Sequence, residues 1–544
     1  MRQLSAHDAL FLYADTPHAN ANVTLVHIYD PSTAPGGCVR FKSILAHIAS
    51  RLDRLPVLRQ RLAPVPLNLD FPYWVDDEHF DLEYHVRHIA LPKPGDWRQF
   101  CIQASRIHAR ALDLNRPLWE IYVVEGLDGL QGLPSGSFAL LTKMHHAAID
   151  VERGSEITTL LHDTEAAPAA APPPAPWLPQ PAPGTLPMVV RGVAGTVASS
   201  VRLAGPLGRA VRRSVPSALA LLGDVLRRAP RQPVTRFNAA VSPHRVFETR
   251  RFVLEEFKVI RGLVAGASVD DAVLAVCGGA LRRYLQQHGE LPAASLSALA
   301  PYATRRSSAH AAAALTWARV PLGTHLADPV QRLAFVHESA AATQVRPKAL
   351  RARELTAVGS HAPAATLALA AKWLGRATAG IGRRAPLAHC AVTHVPGPSV
   401  PLYLCGARMT YFSALMPIAD GLGLVLAVTS YDGRLIVSPT SCRELMPDPQ
   451  TFAQALRDSF QEFLAVARRP RQGPAAPART RAARAAKAKR AAARTAKSRQ
   501  APAALAPGAR AAAPQGKRKR ANVPTPARRR ASSSARRRPT SPAG

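Results

Sequence analysis

Two periods of apolar residues divide the first 165 positions. NVTLVHIYD (22–30) and SFALLTKM (137–144) are short, nearly continuous apolar runs, the pattern of buried strands. FKSILAHIASRLDRL (41–55) and WRQFCIQASRIHARAL (97–112) repeat their apolar positions every three or four residues, which predicts helices. A second stretch of the same kind covers 236–467, with a helical DDAVLAVCGGALRRYLQQHG (270–289) and a strand-like LGLVLAVTSYDGRLIVSPT (422–440). The expected class is α/β (α+β). At 544 residues the chain is too long for one ordinary domain.

Between these stretches the periodicity fails. EAAPAAAPPPAPWLPQPAPGTLP (165–187) is too rich in proline to be a helix or a central strand. From 188 to 230 the pattern predicts two or three helices with many arginines and a single acid, Asp224. From 468 onward the chain is almost entirely Ala, Arg, Lys, Pro, Ser and Thr, with Leu505 and Val523 as its only aliphatic anchors, so disorder is expected. The expected organisation is an N-terminal domain over 1–165, a connector with basic helices over 166–235, a C-terminal domain over 236–467 and a basic tail over 468–544.

The charge changes little once it is located. Of 70 Lys and Arg residues, 23 lie from Arg468 onward and none of the 36 acids do, which leaves 47 against 36, or +11, on the remaining chain. The six cysteines form no CxxC pair, so neither a disulfide framework nor a zinc ribbon is indicated. MRQLSAHDALFLYAD has no basic segment followed by an apolar core, and no run approaches the roughly 18 apolar residues of a spanning helix. A cytoplasmic location is expected.

Candidate chemistry sits in KMHHAAIDVERG (143–154), where His145 and His146 are adjacent and Asp150 follows four residues after the second. A positioned imidazole, with an unperturbed pKa of about 6.5, can take a proton from a hydroxyl near neutrality. Zinc favours histidines four apart on one helix face, whereas adjacent side chains diverge, so no metal is expected. Two satisfied structural histidines fit the local pattern equally well.

Residues farther away decide between these readings. HHAAID resembles the HHxxxD motif of the CoA-dependent acyltransferase superfamily, and LDLNRPLWE (112–120) resembles the PLW motif of the bacterial wax ester synthase/diacylglycerol acyltransferase family. LSAHDALFLYADTPHANANVTLVHIYDP, FNAAVSPHRVFETRRF, SVDDAVLAVCGGALRRYL, THVPGPSVPLYLCGARM and DGLGLVLAVTSYDGRL resemble that family's blocks in order, over residues 3 to about 466. The resemblance implies two chloramphenicol-acetyltransferase-like domains, each a mixed sheet flanked by helices, with a channel between them. It implies that His146 deprotonates an acceptor hydroxyl, which attacks the thioester of acyl-CoA without a covalent intermediate, cofactor or metal. His145 would tune or position His146, and Asp150 would hold the loop. Pro117, Leu118, Trp119, Asp270 and Asp271 would meet substrate, with plainer alternatives beside them: Trp119 as core and Asp270 as a helix cap.

Three positions depart from the family pattern. Val151 stands where the family has glycine, Asp270 where it has the first residue of an Asn-Asp pair, and His394 where it has the Asn of NVPGP. An ionised aspartate cannot donate to an oxyanion as an asparagine can. The acceptors implied are a long-chain alcohol or diacylglycerol; the alternative is a weak or inactive member serving as a lipid- or nucleic-acid-binding scaffold. Arginines among Val, Leu and Ala over 188–230, and more weakly HAPAATLALAAKWLGRA (361–377), suit peripheral attachment to the inner membrane or a lipid inclusion. The tail resembles histone-H1-like bacterial tails and suits nucleic acid or another polyanion through counterion release.

Overall fold

The computed structural model describes residues 1–149, 154–168, 177–184, 186–195, 233–303, 315–345 and 386–469. Asp150, Val151, much of the proline-rich connector, the basic stretch from 196 to 232, the segment 361–377 and the tail from 470 lie outside the described residues.

Asn22–Asp30 is buried at every position but the last, and Phe138–His145 at every position. This is why neither run alternates: both strands lie inside a sheet covered on its two faces. That sheet has six strands in the order Tyr403–Leu404, Ala407–Leu415, Asn22–Asp30, Phe138–His145, Trp119–Glu125, Val86–Ala90, antiparallel except for its last pair. Val23, Leu25, Ile121, Val123 and Leu140 meet Ile44 and Ile48 of the helix Phe41–Ala49 on one face. On the other face Val26, Ile28, Tyr122, Val124, Ala139 and Leu141 meet Phe100, Ala104 and Ile107 of the helix Trp97–Ala109. Residue parity assigns Lys143 and His145 to this second face.

The chain order does not separate the sheets. Ala407–Leu415 comes from the C-terminal half yet pairs antiparallel with Asn22–Asp30, Phe412 opposite His27. A seven-stranded sheet holds that half's strands other than this one and Tyr403–Leu404, in the order Leu315–Pro321, Ser297–Ala303, Cys390–Pro396, Val425–Tyr431, Arg434–Cys442, Arg245–Phe247, with Arg250–Val253 also on Arg434–Cys442. Thr429 Oγ1 on this second sheet donates to the Phe412 carbonyl at 2.6 Å, so the exchanged strand is tied to both sheets. Both lie within one compact unit, Met1–Arg469.

Local chemistry explains the turns and ends. The run 422–440 is two strands joined at Asp432-Gly433, with φ of 44° and 71°, the mirror-image turn that suits a twisted hairpin. The helix expected over 41–55 stops at Ala49: the Ser50 hydroxyl donates to the His47 carbonyl at 2.8 Å, and 3₁₀ turns lead to Pro56. The helix Val269–Gln287 keeps Gly278 and Gly279 mid-length because added Cβ atoms would stand 2.3 Å from the Leu322 carbonyl oxygen and 2.1 Å from Ser459 Oγ. Close packing there outweighs the roughly 1 kcal/mol that glycine costs a helix.

Candidate active site

The motif strand ends at His145, opposite Asn22, and His146–Ala148 turns away from it as a single 3₁₀ turn. Three backbone hydrogen bonds hold the junction. His145 N–H donates to the Leu118 carbonyl at 3.0 Å, His146 N–H to the Ala21 carbonyl at 2.8 Å, and Ile149 N–H to the His146 carbonyl at 3.1 Å.

The two histidines have different surroundings. His145 is 1% exposed; its Nδ1 accepts from Ala147 N–H at 3.1 Å, which assigns the proton to Nε2, and Nε2–H donates to Asp15 Oδ2 at 3.0 Å. With both ring nitrogens engaged inside the fold, His145 has no lone pair to offer a substrate. His146 is half-buried, and its ring stacks on Phe11 with centroids 3.9 Å apart and planes 14° from parallel.

Phe11 and Asp15 were not among the expected site residues. Both come from the helix Ala6–Ala14, begun by Ser5, whose hydroxyl accepts from Asp8 N–H at 3.1 Å, and ended by Asp15 as C-cap. Their four-residue spacing turns both toward the histidine pair. Asp15 Oδ1 also accepts from Ala21 N–H at 2.8 Å, so one carboxylate fixes His145 and the segment that receives His146 N–H. The signal lay in FLYAD: a phenylalanine and an acid four apart at the end of a short helix.

Pro117, Leu118 and Trp119 are buried behind the motif. Leu118 packs with Leu4, Ala9, Leu62, Trp74 and Ala147. The Trp119 indole N–H donates to the Leu58 carbonyl at 2.8 Å, and its ring stacks on His85 at 4.6 Å. This is the core alternative for Trp119.

In the second half, the N-cap of Val269–Gln287 is Ser268, not Asp270. Ser268 Oγ accepts from Asp271 N–H at 3.0 Å, Asp271 Oδ2 accepts from Ser268 N–H at 2.9 Å, and His337 Nδ1 donates to that same oxygen at 2.9 Å. The capping alternative for Asp270 is therefore overturned: a three-residue spacing satisfies the box, and that puts serine and Asp271 in it. The Asp270 side chain is 72% exposed, with Oδ1 3.9 Å from His394 Nδ1. Two of the departures from the family pattern thus face each other across 124 positions of sequence. Among the described residues no group of three or more His, Cys, Asp or Glu is arranged to hold a metal ion.

Comparison with known proteins identifies the family and the fold. Residues 4–273 match the family model described as the wax ester synthase/diacylglycerol acyltransferase catalytic domain, and 314–463 match the family's C-terminal domain. A Mycobacterium tuberculosis protein assigned as a diacylglycerol O-acyltransferase is 32% identical over 484 residues, covering 85% of this chain and 90% of that one. The O-acyltransferase WSD of Acinetobacter baylyi is 29% identical over 407 residues, 72% of this chain and 83% of its own. In fold the chain is similar to the wax ester synthase/diacylglycerol acyltransferase of Marinobacter aquaeolei VT8, at TM-score 0.60 and 24% identity over 86% of this chain and 99% of that one. It is also similar to the trichothecene 15-O-acetyltransferase TRI3 of Fusarium sporotrichioides, at TM-score 0.54 and 10% identity over 85% and 94%. With both domain models matched in order and a relative 32% identical over 85% of this chain, the chain belongs to the wax ester synthase/diacylglycerol acyltransferase family of acyl-CoA-dependent O-acyltransferases.

Proposed function

We propose that His146 is the general base in transfer of a fatty acyl group from acyl-CoA to the hydroxyl of a long-chain alcohol or diacylglycerol. The observation that carries the assignment is the division of labour within the pair. Asp15 and the Ala147 N–H occupy both nitrogens of His145, whereas His146 stands half-buried against Phe11 on the turn that leaves the sheet. As the hydroxyl oxygen attacks the thioester carbonyl, its proton passes to His146. The tetrahedral oxyanion then collapses, the C–S bond breaks, and the imidazolium returns the proton to the CoA sulfur. His145 acts as a positioning residue, and Pro117, Leu118 and Trp119 support the motif from behind.

The test is acceptor-dependent CoA release by the full chain with palmitoyl-CoA and either hexadecanol or diacylglycerol. Loss of a positioned base predicts that His146→Ala lowers the rate by roughly 10²- to 10⁴-fold with an unchanged circular dichroism spectrum. An unchanged rate would assign the base elsewhere. If the wild-type protein releases CoA with neither acceptor, the scaffold alternative takes its place.

The same reading places the enzyme in the cytoplasm, attached peripherally to the inner membrane or a lipid inclusion. The helix over 186–195 supports it: Met188 is buried and Gly192 and Gly195 lie against Val65, Leu69 and Asp70, while Leu186, Val190 and Val193 are exposed beside Arg191. An apolar row with a neighbouring cation suits a headgroup layer. No helix among the described residues is long and apolar enough to cross a membrane. The tail's charge suits a polyanion, nucleic acid included; binding that falls steeply with salt is its expected signature.

A further inference from the structure

Lys143 precedes the histidine pair by two residues and is fully buried. Its ammonium donates to the Arg110 carbonyl at 2.5 Å and lies 3.6 Å from Glu120 Oε2, across the strand pair that sets Glu120 opposite Lys143. Glu120 is held in turn by Arg87 at 3.2 Å and the Tyr122 hydroxyl at 3.1 Å.

Arg110 is the C-cap of Trp97–Ala109, so its carbonyl stands at the electronegative end of that helix. Asn22 Nδ2 donates to the same carbonyl at 3.1 Å, and Asn20 Nδ2 to the Ala109 carbonyl at 3.1 Å. Those asparagines bracket Ala21, whose carbonyl receives His146 N–H and whose N–H donates to the carboxylate that holds His145. The links from ammonium to histidine are thus consecutive: Lys143 and Asn22 on one carbonyl, then Ala21, then His146.

We propose that Lys143 is a positioning residue for His146, its ammonium pinning the helix end and the Asn20–Asn22 segment to the motif strand. The proposal rests on His146 being the base. A misplacement near 1 Å at a reacting group costs about 100-fold in rate, so small slippage in this chain of bonds is enough to matter. A charged lysine donates roughly twice as strongly as a neutral amine, so protonation of Lys143 is part of its hold. Burial lowers its pKa to about 8, with Glu120 opposing the shift. Of the groups packed around it, His108 is held neutral by burial at about 3, and burial raises the Tyr122 hydroxyl. Arg87, Arg110, Glu120 and Arg245 are the remaining charges near the cluster.

The experiment measures kcat and KM of the full chain with palmitoyl-CoA and hexadecanol between pH 6.5 and 9.5, for the wild type, Lys143→Met, Lys143→Arg and His146→Ala. Lys143→Met is expected to lower kcat roughly 10- to 100-fold with little change in either KM. Wild-type kcat is expected to fall on an alkaline limb with its midpoint at about pH 8, and Lys143→Arg, which keeps its charge, to recover most of the rate and lose the limb. A folded Lys143→Met with wild-type kcat overturns the proposal. So does a wild-type profile flat to pH 9.5, which decides the matter even where the variants fail to fold. An active His146→Ala would instead overturn the assignment of the base.

Discussion

Two pairs of identical neighbours, His145-His146 at the end of a strand and Asp270-Asp271 at the start of a helix, divide their work in the same way. In each, one member is buried and bonded twice: His145 to Asp15 and Ala147, Asp271 to Ser268 and His337. The other is less enclosed, His146 half-buried against Phe11 and Asp270 largely exposed beside His394. The order differs, since the strand end locks its first member and the helix start its second. A doubled residue in a motif therefore does not mean a doubled function. Successive side chains point in different directions on any regular element, and a terminus allows one of them to satisfy orphan backbone groups while its neighbour meets other surroundings.

Four substitutions break or sharpen this comparison. The largest effect is expected at the half-buried histidine, where His146→Ala removes roughly 10²- to 10⁴-fold of the rate without unfolding the chain, as read by CoA release beside circular dichroism. Next comes the lock of the same pair. Asp15→Asn loses the carboxylate's charge in its bond to His145 and is expected to cost roughly 10- to 100-fold in kcat; equal loss in Asp15→Asn and His146→Ala would mean that Asp15 takes part in proton transfer itself.

Asp271→Ala removes half of a capping box and the partner of His337, so it should cost about 1–2 kcal/mol of stability, read as a lower denaturant midpoint with activity per folded molecule retained. The smallest effect belongs to Asp270→Asn. An exposed side chain 3.9 Å from His394 contributes little to folding, and a change in kcat within about threefold is expected. A larger loss that His394→Asn reverses in the double variant would show the two acting as one unit, and would move Asp270 into the site.

Much of the fold was legible. The buried strands, the helix beginning near Ser268 and the histidine motif follow from short-range pattern and cap chemistry; the Asp432-Gly433 turn, which divides a run read only as strand-like, came from the structure. Two local readings failed for local reasons: Ser50 and Pro56 end a helix whose periodicity runs on, and Ser268 takes the cap that Asp270 could have taken. Other features had no local signal. The pairing of Ala407–Leu415 with Asn22–Asp30 joins strands nearly 380 positions apart, and Phe412 reaches His27 only because the chain folds back across both sheets. The burial of Lys143 likewise required knowing that the Arg110 carbonyl would meet it.

By itself, the sequence determined which segments become strands and helices, that the class is α/β (α+β), and that an imidazole stands where a strand ends. These are properties of period and residue type, set within a few positions of chain. Only the tertiary structure decided which imidazole is locked inside the fold and what holds the motif in place. The bonds that settle those questions join residues 15 and 145, and 110 and 143. Nothing in the spacing of one partner encodes the approach of the other, because such contacts arise only when separate elements pack.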